Sequence, residues 1–267
     1  MKVVTLAMGN LSAAQAHRAN AVVEQRLLAG RTAADVAKSR VIQLSDSVAF
    51  NEIQTSHSDS AYLLYVQGAG KSFQDRAIMG LISQIISPSY YHQIRTEAQM
   101  GYVVFATPFT MMEVPGIAFI VQSPSHTPAQ IDAGTRAFLQ RFQGELQEMP
   151  EDDFNRHKEA LVIRLLETDK TLEQRADRFW TEIDISNPDF DTTERIAAVV
   201  RSLTREQLLA AYRTLFLDGT RSLLLVAVPE SGKGQWAPPE ARVVRDREDF
   251  LSTNSLFPAE ASINHPE

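Results

Sequence analysis

YLLYVQGAGKSFQDRAIMGLI, residues 62–82, passes from an apolar strand pattern through a glycine turn into a helix pattern. Two kinds of fold begin this way. In a nucleotide-binding α/β protein the turn cradles a phosphate and must read G-x-x-x-x-G-K-[ST]. Counting back from Gly70-Lys71-Ser72, the first glycine belongs at position 65, where this chain has Tyr65. The loop is too short to wrap a phosphate. Ser72 and Asp75 form a capping pair for the first orphan N–H groups of a helix. Asp75 also puts a carboxylate in the first turn, where a phosphate would otherwise sit. The stretch is therefore read as strand, turn and capped helix.

On the N-terminal side, Val3–Leu6 is predicted as a strand, followed by a helix that starts at the Ser12/Gln15 capping box and stops at Gly30. Arg40–Leu44 and Ala61–Val66 are predicted strands. The helix from Ser72 carries Ile78, Leu81, Ile82, Ile85 and Ile86 on one face, and Pro88 is expected to end it. Tyr102–Phe109 and Ile117–Gln122, joined by Met111–Gly116, predict an antiparallel hairpin. Thr127-Pro128 opens a helix with the stripe Ile131, Phe138, Leu139, Phe142 and Leu146. Pro150 opens another, with Phe154, Leu161 and Leu165, and a third carries Leu172, Ala176, Phe179 and Ile183. Asp191/Glu194 and Thr204/Gln207 start two more, the last stopped by Gly219. Ser222–Val228 is a near-continuous apolar strand, expected to be buried on both faces. Residues 229–267 are expected to wrap the surface. The order predicts an α+β fold: a mostly antiparallel sheet with helices packed on one face. The polar stretch Arg31–Lys38 is the best domain boundary.

Composition fits a folded globular protein. The 267 residues are 44% hydrophobic and 22% charged, with a net charge of −7. No basic stripe suggests nucleic acid, and no apolar run approaches the roughly 20 residues that cross a bilayer. Neither a nucleic-acid partner nor membrane insertion is expected. Zero cysteines exclude disulfides, thiolate zinc ligands and a cysteine nucleophile.

The six histidines, at 17, 57, 92, 126, 157 and 265, form neither H-x-x-E-H nor H-E-x-x-H. His157 falls between Phe154 and Leu161 and reads as a packed core histidine. A hydrolase elbow G-x-S-x-G is also absent. The stretch from Pro88 to Phe105 sets charged and polar residues between a helix and a strand, with Arg95 and Tyr102 flanking Gly101. By itself it allows an Arg95–Glu97 surface pair and a tyrosine starting a strand.

Ile94-Arg95-Thr96-Glu97-Ala98-Gln99-Met100-Gly101-Tyr102-Val103-Val104 resembles the L-R-T-x-x-Q-L-G-Y-x-V signature of the C-terminal domain of insulysin/pitrilysin (M16) zinc metallopeptidases, the group that includes insulin-degrading enzyme. Ile117–Ser123 is similar to that family's F-I-I-Q-S strand. Glu151–Arg164 resembles its E-E-A-F-x-x-H-x-x-A-L helix. Phe179–Ile183, Asp189–Asp191 and Ser255–Pro258 are similar to its W-x-E-I, F-D and L-F-P landmarks. The matches run in order along residues 40–260, with Met100 where the family has leucine.

The resemblance implies an M16 peptidase/LuxS-like metallohydrolase domain over residues 39–267. It also implies that residues 1–38 are the last strand and helix of a preceding domain plus linker. The whole would be a several-fold longer zinc metalloendopeptidase that closes like a clamshell around peptide substrates. Zinc would be held by H-x-x-E-H and a distant glutamate in the N-terminal catalytic half, with none bound by this chain, which alone would be inactive. Tyr102 would donate a hydrogen bond to the oxyanion of the tetrahedral intermediate, and Arg95 would hold the substrate backbone. A second reading is a stand-alone binding or assembly module related to inactive subunits of the group. The compartment expected is the periplasm, with the cytoplasm as the alternative.

Overall fold

The computed structural model describes residues 3–31, 39–219, 221–230 and 236–258. Most of the expected boundary, residues 32–38, and the tail from 259 lie outside them. In chain order the elements begin with α1 (Ala13–Leu27), β1 (Ile42–Gln43), β2 (Val48–Thr55), β3 (Ser60–Gln67) and α2 (Phe73–Tyr90). They continue with β4 (Val103–Pro108), β5 (Gly116–Ser123), α3 (Pro128–Glu148), α4 (Glu151–Leu165), α5 (Leu172–Asp184) and α6 (Thr192–Ser202). The chain ends with α7 (Arg205–Tyr212), β6 (Ser222–Pro229), β7 (Arg242–Val243), α8 (Arg247–Thr253) and β8 (Ser255–Leu256). Two π-helical segments extend α2 and α7, over Tyr91–Glu97 and Arg213–Asp218.

Two compact units result. Among the described residues the smaller comprises 3–31, 39–40 and 167–192, and the larger 41–166, 193–219, 221–230 and 236–258. In the smaller, α1 starts at the expected Ser12/Gln15 capping box. Val3–Leu6 forms no strand; a β-branched run is a weak signal where no neighbouring strand takes up its N–H and C=O groups. The expected stripe of α5 is only half-buried, and Leu172 is 56% exposed. Its buried residue is Glu182. That carboxylate accepts from Asn187 Nδ2 at 2.7 Å, from Thr192 Oγ1 at 2.7 Å and from the Thr192 N–H at 3.3 Å. Glu182 thus gathers the turn after α5 around one buried carboxyl group.

In the larger unit six strands form one sheet in the order β4-β5-β3-β6-β2-β7. The pairings from β4 to β6 are antiparallel, while β2 runs parallel to both β6 and β7, so the sheet is mixed. The sequence reading passed over β2. Its VAFNEIQT pattern buries Val48 and Phe50 on one face but carries Asn51 and Glu52 at its centre. β1 and β8 pair separately, and Phe257 buries beside Val41 and Val114.

Period-2 alternation sorts the sheet's two faces. Tyr62, Leu64, Phe119, Val121, Leu224 and Val226 point one way and are buried with the apolar faces of α2, α3, α4 and α7. Aromatic edges interlock there, with Phe119 against Tyr90 at 5.1 Å and Phe216 at 6.2 Å. The opposite face is half-open. Leu225 is 38% exposed, so β6 is not buried on both sides as expected from its apolar run.

Local signals hold where they are local. Ser72/Asp75, Thr127/Gln130 and Thr204/Gln207 all close as capping boxes. Asp75 Oδ2 accepts from the Ser72 N–H and hydroxyl, and Lys71 pairs with Glu113 at 3.7 Å. Both charges of the apparent phosphate loop are thereby occupied. Pro88 does not end its helix. It lies inside α2, which runs on to Tyr90 because Ile85, Ile86, Tyr90 and then Ile94 are all buried. The proline cannot donate to the carbonyl four residues back, and the following turn loosens into π geometry.

His157 is half-buried on α4 rather than packed in the core. Burial holds its pKa below the usual 6.5, with Asp153 opposing and Arg156 assisting. A depressed folded value means that the unfolded chain binds the proton more readily. The stabilising contribution is then complete above 6.5 and is lost as pH falls through the folded value. Urea midpoints are expected to drop more steeply between neutral and mildly acidic pH for the native chain than for His157→Gln. Equal slopes would rule this out.

Candidate functional site

Arg95 and Tyr102 are delivered by the irregular junction between α2 and β4. Ile94 is 1% exposed and anchors the π-helical segment, which leaves Arg95 half-buried beside it. The segment closes through Ala98 N–H to Gln93 O at 2.9 Å and Met100 N–H to Ile94 O at 2.9 Å. Gln99 turns the chain with φ of 51°, the left-handed position usually given to glycine at a helix end. Met100 then lies on Gly134 of α3, where a Cβ would stand 2.4 Å from its sulfur.

Gly101 comes next, pressed against β5. A Cβ there would stand 2.4 Å from the Gln122 carbonyl oxygen and 2.8 Å from Val121 Cγ1. Tyr102 donates its N–H to that same carbonyl at 3.1 Å, while the register pairs Val103 with Gln122. Two residues opposite one make a bulge, a device that re-aims a side chain. Tyr102 is 50% exposed.

Its hydroxyl donates to Asp59 Oδ2 at 2.7 Å, and Gln122 Nε2 donates to the same oxygen at 3.4 Å. The Tyr102 hydrogen bond is the main influence holding the Asp59 carboxyl below its usual range. Reciprocally, the carboxylate raises the phenol's pKa. His57 lies 4.0 Å from Asp59 Oδ2. The Asp59 N–H points at His57 Nδ1 at 3.1 Å.

Among the described residues the Arg95 side chain has no hydrogen bond or ion pair. The surface pair allowed by the sequence, Arg95 with Glu97, does not form, since Glu97 turns to His92 Nε2 at 3.2 Å. An unpaired guanidinium is a fork of donors with no internal task. The structure therefore brings an available cation and an oriented phenol to the two ends of one short junction. Sequence reasoning missed Asp59 and Gln122. Gln122 was visible only inside the F-I-I-Q-S landmark, and Asp59 carried no signal. No group of three or more histidine, aspartate or glutamate side chains among the described residues could hold a metal ion. Nor is any described helix long and apolar enough to cross a membrane.

The chain is homologous to M16 peptidases and resembles their PqqF-like C-terminal domain. Residues 81–180 match the family described as PQQ synthase PqqF-like, C-terminal lobe domain 4. The chain is 27% identical over 248 residues to Protease 3 of Salmonella typhi, covering 92% of this chain and 26% of the relative. It is 30% identical over 226 residues to insulin-degrading enzyme of Drosophila melanogaster, covering 80% and 23%. The crystal structure of pitrilysin superposes with a TM-score of 0.81 at 25% identity, over 93% of this chain and 27% of that one. The chain thus spans about a quarter of the length of the curated relatives it matches.

Proposed function

We propose that this chain is the zinc-free, C-terminal part of a zinc metalloendopeptidase, and that it offers Tyr102 and Arg95 to a peptide held at a zinc site in another domain. Residues 1–38 are proposed as the end of the preceding domain. The observation that carries the reading is the junction itself. In a chain homologous to peptidases, a guanidinium without an internal partner and a half-exposed phenol flank a glycine pressed too close to β5 for any side chain. Zinc, held elsewhere, supplies the Lewis-acid chemistry. Tyr102 donates its O–H to the oxyanion that develops on the scissile carbonyl, and Arg95 holds the substrate backbone. Donors placed where charge develops lower the barrier in a closed site. The compartment proposed is the periplasm, with which a cysteine-free chain is compatible.

The test uses the full-length enzyme and a short peptide substrate. Tyr102→Phe removes one hydroxyl and leaves the ring, and it is expected to lower kcat/KM by about a hundredfold, chiefly through kcat. Arg95→Ala is expected to lower it through KM as well. If neither variant changes kcat/KM, the assignment fails, and a non-catalytic binding or assembly module becomes the better reading.

A further inference from the structure

We infer that Asp59 is a latch on Tyr102: its carboxylate holds the phenolic proton until a substrate oxyanion takes its place. The inference rests on the proposed role of Tyr102 and adds a regulated step to it. A phenol has one proton to donate. In this structure that proton is committed to Asp59 Oδ2 at 2.7 Å, so it is not free for an oxyanion.

The two partners are held unequally. The Asp59 side chain is only 10% exposed and is fixed from several sides. Ser58 Oγ donates to its Oδ1 at 3.0 Å, and Gln122 Nε2 to its Oδ2 at 3.4 Å. Tyr102 stands at a bulge with half its surface open. A fixed acceptor and a ring with room to turn make a contact that releases from the tyrosine side. The elements that meet here are the loop before β3, the start of β4 and the end of β5. Among the described residues, the ionisable side chains in contact with the phenol or with its acceptor are Asp59 and, behind it, His57.

Charge sets the direction of the effect. A bond to a carboxylate is roughly twice as strong as one to a neutral acceptor. The same negative charge opposes an oxyanion arriving nearby. Both effects work against transfer of the hydrogen bond, so Asp59 restrains the site rather than assisting it. The exchange breaks one O–H···O bond and makes another; the proton stays on Tyr102, and no further reactant is needed.

Asp59→Asn tests the latch, since it keeps the shape and removes the charge: the amide oxygen still accepts from Tyr102 and Gln122, and the amide N–H donates to Ser58 Oγ in place of the bond that Oδ1 accepts. In this 267-residue chain, the Tyr102 phenol is followed as the ultraviolet titration difference between parent and Tyr102→Phe. Its titration is expected to move to lower pH in Asp59→Asn; no shift would show that the contact does not form in solution and would overturn the latch. In the full-length enzyme, kcat/KM for a short peptide is expected to rise about three- to tenfold in Asp59→Asn, the range given by halving a charge-assisted bond. The rise should vanish in a Tyr102→Phe background. A fall toward the Tyr102→Phe level would make Asp59 a positioning residue and overturn the latch, as would an unchanged kcat/KM. If Tyr102→Phe alone has no effect, the proposed role of Tyr102 fails, and the latch with it. If Tyr102→Phe is impaired while Asp59→Asn matches the parent, only the latch fails.

Discussion

Gly101→Ala is expected to destabilise the larger unit by about 3 kcal/mol, as overpacking of about 1–3 kcal/mol adds to a weakened ladder hydrogen bond of about 1 kcal/mol. The added Cβ would meet the Gln122 carbonyl oxygen at 2.4 Å, closer than any real contact. That oxygen is backbone, and it already accepts the Tyr102 N–H at 3.1 Å. It cannot swing aside as a side chain would. Either β4 lifts from β5 at its first residues, or the turn from Gln99 changes course.

Both responses move Tyr102 away from Asp59. Gly101→Ala should therefore lower the urea midpoint and also bring the Tyr102 phenol back toward its ordinary titration. The two readouts together separate this variant from a generally loosened fold. Gly144, on α3, is the control: nothing stands within 4 Å of its Cβ position, and alanine is the better helix former by about 1 kcal/mol. Gly144→Ala should leave the Tyr102 titration untouched and raise the midpoint. If Gly101→Ala also leaves both unchanged, the close approach of the junction to β5 is wrong.

This glycine shows where the sequence could be read and where it could not. Ser12, Ser72, Thr127 and Thr204 each announce a helix start by a partner three residues on, because a capping box is complete within four residues. The stripe Ile131, Phe138, Leu139, Phe142 and Leu146 is fully buried as its spacing predicts. Pro88 misled because its local preference was outweighed by the buried side chains on both sides of it. β2 was passed over because its polar centre breaks an alternation that only the parallel neighbour β6 makes sense of.

The candidate site divides in the same way. Arg95, Gly101 and Tyr102 lie within eight residues of each other, so their pattern is visible in one line of sequence. Asp59 is 43 residues from Tyr102, and Gln122 is 63 residues from Asp59. What joins them is strand register: Ala61 pairs with Gln122 across β3 and β5, and Gln122 with Val103 across β5 and β4. Register is a property of the assembled sheet, fixed by which faces are buried. No spacing rule within the chain could have placed a carboxylate against that phenol.

On the helix-covered face a second carboxylate is set among aromatics, and its removal is expected to cost about 3 kcal/mol. Asp132 on α3 is 5% exposed. It accepts from Tyr62 Oη at 2.9 Å through one oxygen and from Arg136 Nε at 2.7 Å through the other. Asp132→Ala would leave the Tyr62 hydroxyl, on a residue 1% exposed, with no acceptor in an apolar core. Arg136 would lose its counter-charge while one of its terminal nitrogens is already buried without a partner. Its side chain is 41% exposed and can turn to water, which keeps the loss near the lower end for a broken buried pair. The hydroxyl has no such escape, because β3 fixes the ring from behind. Tyr62→Phe should therefore cost less alone, about 1 kcal/mol, and should recover part of the Asp132→Ala loss when the two are combined. A double-mutant cycle on urea midpoints measures this. Strict additivity would mean that the buried hydroxyl does not depend on the carboxylate, and that Asp132 serves Arg136 alone.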